Sequence, residues 1–429
     1  MKGKLVFVLC LLLLLSCLCF ARFAQPEAKA SSSLPVHNLN TGLNYSTIQE
    51  AIDANETLNG QTILVDAGEY NETVVIDKSI QLIGENSSNT VINATYDTPP
   101  IPSSVNLLDA LVNITASNAE ISGFNLAWGW YFVGISASTC SNITITDNKI
   151  TQAGQAISLT NVTQSTIAGN VLIGMGLEGN NLFTLGSCSE CIIDGNTIEG
   201  STYQGMTLYS SNDNAIYDNL IAYNTYGIQF GGSDNGNTIY HNNFEGNYFQ
   251  VFPNITGGTN GNYFNESSEG NYWSDYIGKD IDQDGIGDTP YWKLDYYPLM
   301  GPFEEFSASN CDVKTISNST ISDFQFNGTA VLFNVSGENG TTGFCRISIP
   351  TPLINGTLAV SVNGTKVPYA LLPESNSTQS ILYFTYHHST QQVVVAPEFP
   401  SIPATMLFML LTLFAVVITK KKAMRYRIH

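Results

Sequence analysis

A chain of 429 residues with net charge −20 has only 12% charged residues, and Asn, Ser, Thr and Gly supply most of its polarity. So acidic a surface with so few Lys and Arg argues against a nucleic acid or an anionic membrane face as partner, while the length allows two exterior domains.

Lys2 and Lys4 precede an apolar run from Leu5 to Phe20, and Ala28-Lys29-Ala30 offers an A-x-A cleavage site before Ser31. Residues 1–30 therefore read as a signal peptide, with Ala24 a second cut and a lipoprotein reading at Cys17 weakened by the apolar run beyond it. Tyr45 to Asn55 reads as a short amphipathic helix with Ser46 as N-cap and Ile48, Ala51 and Ile52 on one face. Strands follow at 62–65, 74–76, 80–83 and 91–92, with turns at Gly68, Asn71 and Gly84, and Tyr96 to Leu107 with its three prolines is a loop.

Six asparagines, Asn125, Asn148, Asn170, Asn196, Asn219 and Asn242, then recur every 22 to 26 residues. Each follows an apolar residue (Ile121, Ile143, Ile167, Ile192, Ile216, Ile239) and precedes another (Leu126, Ile150, Leu172, Ile198, Ile221, Phe244). A period in the twenties marks a stacked-coil solenoid, because one repeat cannot bury its apolar face alone. Short apolar strands between Asn, Gly, Ser and Thr favour β-coils, with Ile stacked inward and Asn amides bonded from rung to rung. The expectation is an all-β, parallel β-helix with a capping helix, regular from about Leu111 to Phe252. Six coils would span roughly 30 Å.

Five cysteines follow the leader: Cys140, Cys188, Cys191, Cys311 and Cys345. Cys311 and Cys345 are expected to pair as a disulfide outside the cell. Cys188-x-x-Cys191 falls at a coil turn with no second pair, which suits small buried thiols better than a metal site.

Asp280, Asp282, Asp284, Gly285 and Asp288 fit D-x-D-x-D-G with a fourth carboxylate at the ninth position. Such carboxylates repel one another unless a hard cation shares them, and the Ile286 carbonyl adds a ligand, so this loop is the expected Ca²⁺ site. It departs from an EF-hand in having Tyr291 at its twelfth position and in being flanked by Gly278 and Pro290. A solvated acidic turn is the alternative.

From Phe303 the ladder gives way to alternating strands separated by Asn339-Gly340, Asn355-Gly356 and Asn363-Gly364. This predicts an antiparallel β-sandwich over 303–396, serving as a stalk beyond a β-helix domain of 31–302. A Pro-Glu-Phe-Pro linker (397–401) leads to Ile402–Thr419, 18 uncharged and mostly apolar residues followed by Lys420, Lys421 and Lys422. About 27 Å of helix suffices to span a bilayer, and the lysines place the tail 420–429 inside.

Ile48-Gln49-Glu50-Ala51-Ile52, Asp66-Ala67-Gly68-Glu69-Tyr70 and Lys78-Ser79-Ile80 through Gly84-Glu85 resemble the opening of pectin-lyase-like right-handed β-helix proteins. The NosD-like family, named for a copper-enzyme maturation factor, is the most similar group. Gly270-Asn271-Tyr272-Trp273-Ser274-Asp275-Tyr276 with Asp288-Thr289-Pro290-Tyr291 resembles the closing segment of archaeal surface β-helices. Residues 316–395 are similar to the sandwich that follows it, and Pro397-Glu398-Phe399-Pro400 resembles a PEF-type sorting signal. The resemblance implies fold and a cell-surface location more than activity.

Polyuronate lyases of this fold need a basic residue, yet Lys149 is the only Lys or Arg between Ile80 and Tyr276. The paired Asp and Arg motifs of pectin methylesterases are missing too. A glycosidase would need two carboxylates across a sugar, for which Asp213 with Asp234, or Asp194 with Asp218, are candidates; each also reads simply as a turn residue. Copper handling would need grouped soft ligands, but His37, His241, His387 and His388 and Met175, Met206 and Met300 form no cluster in sequence.

Seventeen N-x-S/T sequons run from Asn44 to Asn376, and none lies between Asn161 and Asn254. That bare interval holds Tyr203, Tyr209, Tyr217, Tyr223 and Tyr226, whose amphipathic rings suit sugar faces. The expectation is a membrane-anchored surface β-helix that binds polysaccharide or another cell-envelope component without cleaving it. The alternatives are a polysaccharide-processing enzyme and a copper-related maturation factor.

Overall fold

The computed structural model describes residues 34–93, 110–127, 133–174, 181–252 and 261–398. The expected signal peptide, the proline-rich loop, the apolar segment 402–419 and the basic tail lie outside them. Among the described residues no helix is long and apolar enough to cross a membrane. The described residues divide into two compact units: those from 34 to 237 with 246–252 and 261–262, and Thr238–Glu245 with 263–398.

The first unit is a parallel β-helix whose coils each contribute one short strand to three faces. Thr144–Thr146, Lys149–Ala153 and Gln155–Thr160 make one coil, and each strand pairs in parallel with its counterpart a coil later. Consecutive parallel strands of this kind are joined with a right-handed crossover. On the first two faces the short strands put one side chain inward per coil, while the third-face strands of up to six residues bury more. On the first face Ile121, Ile145, Ile167, Ile193 and Ile216 stack in register and are fully buried. The second face stacks Leu126, Ile150, Leu172, Ile198 and Ile221 in the same way. Each inward residue contributes roughly 1.5–3 kcal/mol, but only once a neighbouring coil covers it.

The register corrects two details of the repeat. Ile145 and Ile193 hold the inward positions assigned to Ile143 and Ile192; Ile192 is 39% exposed. Asn125 pairs with Lys149 as the first residue of a strand, so Phe124 occupies the ladder position in that coil. The ladder proper runs Asn148, Asn170, Asn196, Asn219, and from Asn170 onward each Oδ1 accepts the backbone N–H and the side-chain amide of the preceding asparagine at 2.9–3.2 Å. Asp147, Gly169, Gly195 and Asp218 stand immediately before these residues at φ 56–65°, the left-handed turn that aims each amide inward.

At the start of the chain the helix is shorter than expected, Ile48–Asp53, and its N-cap is Thr47 in place of Ser46. Thr47 Oγ1 accepts from Glu50, while the Glu72 carboxylate accepts from the N–H groups of Ile48 and Gln49, both at 2.9 Å. Lys78 Nζ donates to the carbonyls of Ile52, Ala54 and Thr57, closing the other end.

The second unit begins with Thr238–Tyr240 and Asn243–Glu245, the latter paired in parallel with Tyr272–Trp273. Here Asn242 donates twice to Asn271 Oδ1, and Asn271 N–H donates to Asp295 Oδ2 at 2.7 Å. Phe244, Trp273 and Tyr291 stack with centroids 4.4 and 4.5 Å apart. From Phe303 the chain forms two five-stranded antiparallel sheets around Val313, Val331, Phe333, Ile347, Val360 and Phe384. The closing coil and acidic loop thus share a compact unit with the sandwich.

The expected disulfide does not form: Cys311 and Cys345 are both free thiols. Cys345 pairs with Ser317, six residues along the strand from Cys311. That is about 20 Å of strand, against the 4.4–6.8 Å between Cα atoms that a disulfide requires.

Candidate functional site

The acidic loop closes on itself where the Asp288 N–H donates to the Lys279 carbonyl at 2.9 Å. This brings carboxylate oxygens of Asp280, Asp282 and Asp288 within 4.8 Å of one another. Among the described residues this is the group of His, Cys, Asp or Glu side chains suited to sharing an ion. Asp280 also accepts the N–H groups of Asp284 and Gly285, and Asp288 accepts that of Ile281. Of the four expected carboxylate ligands, Asp284 is not part of this group. Asp284 turns its carboxylate onto the Ile286 N–H at 2.7 Å, and Ile286 itself is nearly buried in a bridge to Leu299. Burial, reinforced by the Asp282 charge, pushes the Asp280 carboxyl up. Burial, with the charges of Asp282 and Asp280, raises Asp284 to about 6.

Beside the loop lies a buried charge network that sequence reasoning missed. Arg346 is the only arginine among the described residues, and its side chain is 4% exposed. It donates to the Asp284 carbonyl at 2.9 Å and to Glu269, whose other oxygen meets His241 Nε2 at 2.8 Å. Burial pushes Glu269 up, but the His241 hydrogen bond and the Arg346 charge more than offset it and hold the carboxyl at about 2. His241 stacks on Phe303 at 4.0 Å, and a cavity of about 200 Å³ opens beside it, lined also by Lys314 and Gln379. These partners are 28 and 77 residues apart in sequence. The one available signal was a solitary Arg in an apolar strand.

Of the five tyrosines, the fold gathers Tyr203, Tyr223 and Tyr226 at the corner between the second and third faces. Tyr203 meets Tyr226 edge-on at 5.7 Å, and Tyr226 stacks on Phe249 of the next coil at 5.5 Å, with Phe252 at 4.5 Å. Tyr223, three residues before Tyr226, lies against Gly246 of that next coil, and Tyr248 extends the group beside Phe249. Tyr223 and Tyr248 are 66% and 78% exposed, so a strip across three coils presents aromatic surface. Gln204 and Gln229 join their amides alongside, although Gln204 itself is buried. Tyr209 lies at the far end of its strand, opposite Gly231, and Tyr217 is on the first face; neither joins the strip.

The carboxylates weighed for catalysis are built into turns. Asp213 and Asp218 occupy left-handed positions, and Asp194 ends a strand. Asp234 is buried, with its two oxygens on the N–H groups of Ser211 and Gly231, both at 2.7 Å. The soft donors are dispersed. His37 pairs with Asp66, and His388 is buried between Ser319 and Thr341, while His387 is exposed. Met206 is in the coil core, Met300 is half-buried, and Met175 lies outside the described residues. Two of the four histidines, His241 and His388, are thus buried instead of superficial. Cys140, Cys188 and Cys191 are buried at coil turns, and burial pushes all three thiols up, Cys188 to about 12.

The family described as "Periplasmic copper-binding protein (NosD)" matches residues 54–278. A cell surface glycoprotein of Methanothermus fervidus is 34% identical over 118 residues, 28% of this chain and 18% of that protein. A probable ABC transporter binding protein NosD of Pseudomonas aeruginosa is 33% identical over 150 residues, 35% of this chain and 31% of that protein. The matched segments thus span less than a third of each relative's own length. Among solved structures, the Erwinia chrysanthemi pectin methylesterase PemA aligns with 44% of this chain and 78% of its own at 11% identity and TM-score 0.31. The A-module of the Azotobacter vinelandii mannuronan C-5 epimerase AlgE4 aligns with 46% and 72% at 16% identity and TM-score 0.30.

Proposed function

This chain belongs to the NosD family, and from that premise we propose that it is a surface protein that binds polysaccharide through the aromatic strip and does not cleave it. The observation that carries this reading is the Tyr203–Tyr226–Phe249 stack with exposed Tyr223 and Tyr248. Rings repeating at the coil spacing of about 4.8 Å match an extended chain ligand better than a compact one. Turn-bound Asp213, Asp218 and Asp234 support binding over hydrolysis, since a glycosidase pair must face one sugar from both sides.

In this reading the segment 402–419 anchors the chain and Ca²⁺ sits among Asp280, Asp282 and Asp288, with backbone oxygens and water completing its shell. Copper fits poorly. Among the described residues His37, His241 and His388 are apart and engaged, the coil thiols Cys140, Cys188 and Cys191 are buried, and Met206 is sealed in the core. No step through copper is derived.

The test is affinity electrophoresis of the calcium-loaded chain in gels of neutral and acidic polysaccharides, with reducing-end release measured in parallel. Retardation that disappears in Tyr223→Ala/Tyr248→Ala, with no release, is the expected result. Release from any substrate would overturn the non-catalytic reading. Unchanged retardation of the double variant would remove the strip as the binding surface.

A further inference from the structure

Among the described asparagines, the buried ones and those in sequons form two sets that do not overlap. Twelve are buried, from Asn38 to Asn271, and none has Ser or Thr two residues on. Of the seventeen sequon asparagines sixteen are described, and none of those is buried. Part of this division is enforced by the fold. The residue two after a ladder asparagine points into the core, as Ile150 does after Asn148 and Leu172 after Asn170, so it is apolar.

Core packing does not account for the abundance of sequons elsewhere. Ser and Thr are 78 of 429 residues, so random placement would put roughly 8 of the 42 asparagines in sequons, and the chain has 17. In the sandwich the excess is sharper: seven of the eight asparagines between Phe303 and Glu398 are in sequons, Asn310 being the exception. Several have the local geometry that presents an amide. In Asn327-Gly-Thr329 and Asn376-Ser-Thr378 the Thr hydroxyl donates to the Asn Oδ1 at 3.0 and 2.6 Å. That bond polarises the amide and makes its Nδ2 hydrogens more acidic, which eases their loss to a base as Nδ2 reacts. Asn355 is exposed in the loop between the strands Thr342–Pro350 and Leu358–Val362. By contrast Asn334 Nδ2 is held by Asp323, and Asn318 Nδ2 by the Thr342 carbonyl.

We propose that the chain is N-glycosylated at its exposed sequon asparagines, with Asn327, Asn355 and Asn376 the principal acceptors and the coils from Ser165 to Phe252 left bare. In the transfer, Nδ2 attacks the anomeric carbon of a sugar activated as a phosphate ester. The N–C bond forms as the C–O bond breaks, the amide proton passes to a base, and the phosphate leaves with the bonding pair. The inference requires that the chain is exported, and it is independent of polysaccharide binding.

Glycopeptide mass spectrometry of the chain from its native source tests it. The expected result is saccharide mass on the peptides bearing Asn327, Asn355 and Asn376 and none on those bearing Asn148, Asn170, Asn196 or Asn219. Unmodified peptides at all three acceptors, or modification of a ladder asparagine, would overturn the proposal. Thr329→Ala keeps Asn327 but removes its hydroxyl partner, so it is expected to lose one glycan mass with its melting temperature unchanged. Persistence of that glycan would show that the sequon is not what is recognised.

Discussion

The Asp295 carboxylate ends a column of asparagine side chains, and its two oxygens together accept from Asn271 N–H, Trp273 Nε1 and Tyr297 N–H. Its fit is tight enough that a Cβ on Gly270 would collide with it. Burial raises its carboxyl from 3.8 to about 6, against the pull of these donors. Because the folded value lies above the unfolded one, the stability it contributes is fully present below pH 4 and is lost as pH rises through about 6. A rise of that size corresponds to on the order of 3 kcal/mol. Asp295→Asn is expected to lose this slope between pH 4 and 6.5, read as melting temperature against pH. It is also expected to lower stability by roughly 1–3 kcal/mol, because an amide offers one acceptor oxygen where the structure uses two. A slope identical to that of the parent chain would show that the carboxylate titrates without consequence.

Within the coils, stability depends on each turn repeating its hydrogen bonds. Asn196 Oδ1 accepts two donors from Asn170, and its own Nδ2 donates to Asn219 and to the carbonyls of Ile167 and Asp194. Asn196→Ala leaves these groups buried and unmet, and a loss of roughly 2–4 kcal/mol is expected in urea unfolding, well above that for an exposed asparagine such as Asn355. Lys78→Met is expected to lose on the order of 1–2 kcal/mol, because three carbonyls at the end of the capping helix lose their donor. Equal effects at Asn196 and Asn355 would mean that the ladder adds nothing to the packing of the coils. The period and the second-face column were legible because an apolar residue follows each ladder asparagine at fixed distance. The slip at Asn125, Ile143 and Ile192 arose because strands of three residues leave register to turns of variable length. A second column, Asn214 to Asn237 to Asn262, went unseen because Cys191 and Ser165 hold its earlier positions.

For the chain as a whole, the acidic loop was readable because its carboxylates are local and regularly spaced. The Glu269–Arg346–His241 network was not, since its partners meet only after the sandwich strand at 342–350 has formed. The same nearness in space makes the loop a thermodynamic handle on its own compact unit: Arg346 contacts both the Asp284 carbonyl and Glu269. A cation held by Asp280, Asp282 and Asp288 would stabilise that unit by mass action, about 2.7 kcal/mol at a hundred times the dissociation constant. For a unit of this size that is a rise of roughly 5–10 °C in melting temperature. Calorimetry with Ca²⁺ and with a chelator is expected to show the rise and its reversal, and Asp282→Asn/Asp288→Asn is expected to abolish it. Mg²⁺ is expected to give a smaller rise, because it demands a near-ideal octahedral shell and gives up its water reluctantly. A double variant that still responds to Ca²⁺ would place the ion elsewhere. No response in the parent chain would leave the loop a solvated acidic turn.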